Sequence, residues 1–398
     1  MHILLLNEYY PPDTSATAKM AEMVVEILAS RHRITVVAGR PSYDPTERFS
    51  WRLLRREGRG NISVERVGST AFHRFKMIRR MTNYLTYVAL AIPRAMMIRS
   101  DVVLSMTDPP FVGIAGAIIS RFTGRPFIYN IRDLYPDMAV GGGIMRPGFA
   151  VRIWERMHCW ALRHAARVIV LGDDMRERII KKGVNPDRIP VVRDGVTIPQ
   201  ELPDPANPVT QEIRRGFEFV ALHAGNIGFY GAWDTLVAAA RHLSTAGTGI
   251  VFVGEGAQKD RLIAAAKNMP AIRFLPFRPA SDIPLVLAAG DVHIITVKRG
   301  LEGVIVPSKL YPILAAGKPV LAVSTMHTDV ARIITEGGCG VVADPDDPNA
   351  VAKALDYLAT HPERVAEMAQ RARAIARNYD KFAELNRFLT VIEGVVQE

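Results

Sequence analysis

Short apolar runs alternate along this chain with longer stretches of helical period. In the first half, HILLLN (2–7), ITVVAG (34–39), SVERVG (63–68), VVLSM (102–106), FIYNI (127–131) and VIVLG (168–172) read as strands. Between them, the spacing predicts helices, notably at 16–30, 77–99, 111–122 and 149–165. The second half repeats the alternation. FVALHAG (219–225), IVFVGEG (250–256), IRFLPF (272–277), VHIITV (292–297), PVLAV (319–323) and GVVADP (340–345) read as strands, with helices at 233–243, 257–267, 308–316 and 348–360. Strands that are apolar along nearly their whole length are buried on both faces, which predicts parallel sheets covered by helices. The proline-rich, polar stretch IPQELPDPANP (198–208) reads as a linker. The expected architecture is therefore α/β, with two doubly wound domains at 1–197 and 198–379. The helical pattern at 363–396 is expected to cross back, so that a helix at about 380–398 joins the first domain. Ligands of such sheets bind beyond the carboxyl ends of the strands, which places the expected site in the cleft between domains.

Composition narrows the class. The chain has 398 residues, 48% hydrophobic and 23% charged, as in a globular protein. Its two cysteines, Cys159 and Cys339, have no metal-ligand spacing and suit a reducing compartment. The first residues, Met1 to Asn7, enter a strand directly and carry no basic segment of the kind that opens a signal peptide. No run of about 18 apolar residues is present, so no membrane-spanning helix is expected. The net charge of +10 is uneven: residues 1–200 carry 30 Lys and Arg against 18 Asp and Glu, whereas 201–398 carry 20 against 22. One face of the first half is therefore expected to attract an anionic surface. Nucleic acid would also suit a basic face, but no recognised nucleic-acid motif is present.

Several segments carry candidate chemistry. In EGVIVPSKLYPILAAGKPVLAV (302–323), Pro307 and Ser308 read as a helix start with Ser308 as N-cap, and Leu310 opens the apolar helical spacing. Lys309 then lies in the first turn, beside free backbone N–H groups that attract phosphate. The same pattern also fits an ordinary strand–helix corner with a surface lysine. Gly225 and Asn226 follow the first strand of the second half, and Gly254 and Glu255 follow the next. Phe277 ends the strand after that. Glycines there let backbone amides approach a ligand, although a glycine pair also occurs in plain turns. Lys298, Arg299 and Glu302 follow the VHIITV strand, where two cations suit a diphosphate or a solvated loop. In the first half, Tyr10, Ser15 and Thr17 lie in or beside the first strand-to-helix loop, and Tyr43 lies near the second. Arg132 and Asp133 end the fifth strand, at a site edge or as an internal ion pair. Arg74, Lys76, Arg79 and Arg80 interleave with apolar residues, which suits a helix in an anionic membrane interface or one packed on the sheet with a basic outer side.

Taken in order, YYPPDTSATAK, GRPSYDP, DVVLSMTDPP, RDLYPD, HAGNIG, FVGEG and PSKLYPILAAGKPVLA resemble the family 4 glycosyltransferases over nearly the whole chain. The likeness is greatest to the bacterial branch that transfers aminosugars in O-antigen, capsule and exopolysaccharide assembly. The resemblance implies the GT-B fold: two Rossmann-like domains facing across a cleft and a C-terminal helix returning to the first. It implies retaining transfer from a nucleotide-diphosphate sugar, with UDP favoured, without an obligatory metal or other cofactor. The donor would bind the second domain, at Gly225, Asn226, Gly254, Glu255, Phe277, Arg299, Glu302, Pro307, Ser308 and Leu310. Lys309, Lys298, Asp133 and Arg132 would serve the chemistry. The acceptor would bind the first domain at Tyr10, Ser15, Thr17 and Tyr43. For this branch it is a polyprenyl-diphosphate-linked sugar at the cytoplasmic face of the inner membrane.

The chain also departs from the family pattern. Pro312 stands where many relatives have a ribose-binding Glu, Asn226 stands where many have a phosphate-binding Arg, and Arg132 replaces a frequent His. These changes shift the expected phosphate contact onto Lys309 and Lys298. They also leave two other readings open: a nucleotide-sugar epimerase or hydrolase of the same fold, and a non-catalytic sugar-nucleotide-binding subunit.

Overall fold

The computed structural model describes residues 1–42, 53–72, 77–204 and 206–397. The chain divides into two compact units. One contains Met1–Asp137, Met145–Val192 and Leu385–Glu398; the other contains Met138–Ile144 and Arg193–Glu384.

The first unit holds β1 (His2–Leu6), β2 (Arg33–Ala38), β3 (Leu54–Arg59), β4 (Ile62–Val67), β5 (Val102–Ser105), β6 (Phe127–Asn130) and β7 (Arg167–Ile169). Their order in the sheet is β3-β4-β2-β1-β5-β6-β7. The β3–β4 pair is an antiparallel hairpin, and the other pairs are parallel. β5 and β6 are buried at every position, which is why they read as continuous apolar runs. β3 escaped the sequence reading because LRREGR is an exposed, charged edge with no apolar run. Among the described residues, α1 (Ala16–Ala29), α2 (Met77–Met97), α3 (Val112–Thr123), α5 (Phe149–His164) and α6 (Asp173–Lys181) accompany this sheet, while the short α4 (Asp137–Gly141) runs from Asp137 into the second unit. The chain moves one way from β1 to β2 and the other way through β5, β6 and β7. Right-handed crossovers then put α1 on one face and α2, α3 and α5 on the other. Accordingly α2 packs on α3, and α3 on α5.

The second unit holds α7 (Pro208–Arg214), α8 (Trp233–Ala239), α9 (Lys259–Ala265), α10 (Ile283–Ala289), α11 (Leu310–Ala315), α12 (Asp329–Glu336), α13 (Pro348–Thr360) and α14 (Pro362–Ala376). Its strands are β8 (Phe219–Ala224), β9 (Thr248–Val253), β10 (Ile272–Leu275), β11 (Val292–Thr296), β12 (Val320–Val323) and β13 (Gly340–Ala343). They form one parallel sheet in the order β10-β9-β8-β11-β12-β13. The winding runs outward from β8 to β10, then restarts at β11 in the opposite direction. The point of reversal lies between β8 and β11, where crossover loops diverge and leave a crevice.

A final helix, α15 (Lys381–Gln397), takes the chain back to the first unit. There Phe388, Leu389, Ile392 and Val395 join a core with Ile3, Leu5, Ile34 and Val36. His32 Nε2 lies 2.8 Å from a Glu393 carboxylate oxygen and fixes the helix near its end.

Candidate functional site

The reversal point in the second unit is built from backbone at close quarters. Gly225, just past β8, has φ +137°, and Gly254, just past β9, has φ +150°. A Cβ on Gly254 would lie 2.0 Å from the Gly225 carbonyl oxygen, so the two loops touch only because Gly254 has no side chain. Asn226 is exposed beside them. Glu255 is exposed too, and accepts from Lys259 Nζ at 2.6 Å, a bond that lowers its carboxyl pKa.

Lys309 reaches this point from the other side of the crevice. A Cβ on Gly225 would lie 3.1 Å from its Nζ. Desolvation pulls the Lys309 ammonium down to about 8. Nζ donates to Nε2 of His223, 3.4 Å away on β8. His223 is buried, and burial first, then the Lys309 charge, drive its pKa well below the ordinary value. Its Nδ1 lies 3.3 Å from the Ile294 carbonyl and donates to it, so the neutral ring offers Nε2 as an acceptor. Trp233 packs edge-on against the same ring at 4.7 Å and holds its plane.

The start of α11 corrects one expectation. Helix 308–316 with Ser308 as N-cap contracts to Leu310–Ala315, and Lys309 itself is the cap residue, in helical conformation with no side-chain cap bond. The reason is a tight turn ahead of the helix: the Leu310 N–H donates to the Pro307 carbonyl at 3.2 Å. Pro307 is partly buried and Ser308 exposed. Leu310 is buried in a core cluster with Tyr311 and Ile313, so its side chain serves packing.

Beside Lys309 opens a cavity of about 200 Å³. Gly225, Phe277, Arg278, Ile283, Lys309 and Pro312 are among its lining residues. The walls are largely apolar, with one ammonium at one end, a form suited to a flat ring joined to an anion. Arg278, whose guanidinium is held by Glu212, and Ile283 were missed in the sequence. The available signal was position: both follow β10 at its carboxyl end.

Other expected residues fall elsewhere. Lys298 is exposed after β11, and its N–H donates to the Tyr230 carbonyl at 2.9 Å. Arg299 is clamped by Asp344 at 2.7 Å and Asp346 at 2.5 Å, with those bonds raising its pKa. Its charge is thus answered within the protein. Glu302 accepts from the Thr325 hydroxyl at 3.0 Å. In the first unit, Arg132 and Asp133 are partly buried after β6, and the Arg132 N–H donates to Thr107 Oγ1 at 2.8 Å. Ser15 caps α1, its Oγ accepting from the Ala18 N–H at 3.1 Å. Thr17 sits partly buried in the first turn of that helix. Tyr10 lies in the core, where burial pushes its phenol up to about 12. Arg79 is exposed, and Arg80 Nε donates to the Tyr84 hydroxyl at 2.8 Å. Tyr43, Arg74 and Lys76 lie outside the described residues. Among the described residues no His, Cys, Asp and Glu cluster has the form of a metal site, and no helix is long and apolar enough to cross a membrane.

The chain matches two family models. Residues 15–195 match the glycosyl transferase 4-like domain, and residues 211–375 match the glycosyl transferases group 1. It is 27% identical over 310 residues to the probable glycosyltransferase WbjE of Pseudomonas aeruginosa, covering 75% of this chain and 76% of that one. It is 22% identical over 420 residues to the putative colanic acid biosynthesis glycosyl transferase WcaI of Escherichia coli K12, covering 99% and 100%. Among solved structures, Anabaena Alr3699/HepE in complex with UDP-glucose superposes with a TM-score of 0.69 at 19% identity, over the full length of both chains. That likeness shows the fold.

Proposed function

The chain belongs to the family 4 glycosyltransferases of GT-B fold, and from that premise we propose that it moves a sugar from a UDP-sugar to a lipid-linked acceptor with retention of anomeric configuration. The observation that carries this reading is the Lys309 ammonium poised over Gly225 at the end of the apolar cavity. The base and ribose fill the cavity against Phe277, and the diphosphate lies along the Gly225 turn. When the bond between the sugar and the β-phosphate breaks, negative charge grows on the departing diphosphate. Lys309 is fixed in place before that charge appears, so stabilising it costs little reorganisation. Pro312 gives the cavity an apolar wall where many relatives carry a Glu. Stacking on the base and the grip on the diphosphate then carry more of the donor affinity.

Retention follows if the leaving phosphate oxygen takes the proton of the acceptor hydroxyl. The new bond then forms on the face from which the diphosphate leaves, and no separate protein nucleophile is required. Lys298 assists at the diphosphate, and Arg132 and Asp133 act on the acceptor side. The donor sugar is an N-acetylated aminosugar, and the acceptor a polyprenyl-diphosphate-linked sugar in surface polysaccharide assembly. The colanic acid biosynthesis in the name of WcaI supports the polysaccharide setting, and the UDP-glucose complex of HepE supports the base. The basic stretch around Arg79 and Arg80 supports work at the anionic inner face of the cytoplasmic membrane.

The test is transfer itself. Purified protein is incubated with a panel of UDP- and GDP-sugars and a polyprenyl-diphosphate-linked sugar, and the product anomer is read by NMR. A single UDP-sugar giving a product of the donor's own anomeric form is expected. Inversion, or a clear preference for GDP-sugars, would overturn the proposal.

A further inference from the structure

The outward side of α5 has the wrong composition for a helix facing water. Trp154, His158, Ala161 and Leu162 are buried and fix the helix against the unit. Trp154 lies 4.8 Å from the Phe111 ring and stacks on Tyr135 at 5.7 Å. That packing turns Phe149, Ile153, Met157 and Trp160 outward, with Phe149 as much as 79% exposed. At about 100° per residue, these four fall within an arc of about 80°, and Arg152, Arg156 and Arg163 occupy the neighbouring arc of about 40°. The one acid on the helix, Glu155, accepts from Lys182 Nζ at 2.6 Å and lies off both arcs. The face continues onto the packed neighbours. Phe122 at the end of α3 is 77% exposed, and α2 turns Ile78 and Leu85 outward; neither helix contains an acid.

We propose that this α2–α3–α5 face, with α5 at its centre, is the surface by which the protein lies on an anionic lipid bilayer. An interfacial helix buries an apolar stripe below the headgroups and keeps cations level with their phosphates, which is the division of arcs on α5. Tryptophan and arginine both suit that depth, because each has a flat or aliphatic body and a polar end. Charge selects the occupant. A second copy of this chain would bring its own arginines to the contact, with Glu155 already engaged. Anionic phosphates answer all of them. The inference rests on the proposed action at a membrane and shifts the centre of the apolar anchor from the segment at 73–85, whose Ile78 and Leu85 stay on the face, to α5.

The experiment uses the full chain and vesicles of phosphatidylcholine, with and without about 30% phosphatidylglycerol. Binding is read by co-sedimentation across a salt series. Ile153→Glu/Met157→Glu is expected to lower the partition coefficient about tenfold, and Arg152→Gln/Arg156→Gln/Arg163→Gln to flatten its salt dependence. UDP-induced thermal shift checks that each variant is folded. If the wild type binds but folded variants bind equally well, α5 is not the anchor and the membrane reading stands. If the wild type binds no anionic vesicle, both fall. If Ile153→Glu/Met157→Glu converts a dimer to a monomer in sedimentation and leaves vesicle binding intact, the face belongs to a second copy and the proposal is overturned.

Discussion

Lys309 and His223 meet at 3.4 Å, a desolvated ammonium donating to a neutral imidazole across the reversal point of the second sheet. The ring cannot take the proton, because burial holds His223 well below its ordinary pKa. It therefore orients the ammonium toward Gly225 without competing for charge. Removing that ammonium should abolish stabilisation of the leaving diphosphate. Lys309→Met is expected to lower kcat by about 10²–10³-fold. Its thermal midpoint should not fall, since a desolvated cation is replaced by an apolar chain of similar length. Near-normal turnover in a folded Lys309→Met would remove the residue from the chemistry.

The same ammonium predicts a pH dependence of UDP binding. In the free protein it loses its proton around pH 8. A bound diphosphate favours the charged form and raises that value, so binding takes up a proton on the alkaline side. Affinity should be level below pH 8 and fall above it, by up to about tenfold per pH unit. His223→Leu removes the acceptor that favours the ammonium, so the onset should move to lower pH. Titration calorimetry between pH 6.5 and 9.5 reads both; a pH-independent affinity in the wild type would contradict the assignment.

Gly225 tolerates no side chain, on two grounds. Its φ of +137° strains any L-residue, and a Cβ would press on Lys309 Nζ. Gly225→Ala should cost about 1–3 kcal/mol of stability and weaken UDP binding in addition. A urea melt and a binding isotherm on the same sample separate the two effects. Unchanged UDP affinity would place the diphosphate away from this turn.

In the first unit, Asp137 is gripped by Lys182 at 2.8 Å and Arg178 at 3.0 Å. Burial opposes its charge, yet the two cations win and its pKa is lowered. Stability from a lowered carboxyl is present above the unfolded value and lost as pH falls through the folded one. The window is therefore below about pH 4. Lys182→Met should cost about 2–3 kcal/mol near neutrality, because Asp137 and Glu155 both lose a partly buried partner. Asp137→Asn should flatten the acid limb of a plot of denaturation midpoint against pH. A wild-type acid limb in Asp137→Asn would assign it to other carboxyls.

Much of this protein is a matter of short-range pattern. Continuous apolar strands such as VVLS and FIYN can only be central and parallel, and helical spacing between them fixes the winding. The order of PSKLY and HAGNIG along the chain led to the expectation that both serve one site, and the structure brings Lys309 of the one beside Gly225 of the other. Other features depend on contacts between distant segments. Lys309 lies 86 residues beyond His223, and only the restart of the sheet at β11 brings them together. The sequence offers Arg299 to a diphosphate and Tyr10 to an acceptor, but only the structure shows that Asp344 and Asp346 hold the first and that the core packs around the second. On α5, periodicity reveals a helix, but which arc faces inward is set by Trp154 wedging against Phe111 and Tyr135. Hydrophobic period reports whether a residue belongs to a strand or a helix because that preference is local. Which charge is answered, and which apolar face is left uncovered, depends on neighbours that the chain supplies from elsewhere, and these only the tertiary structure decided.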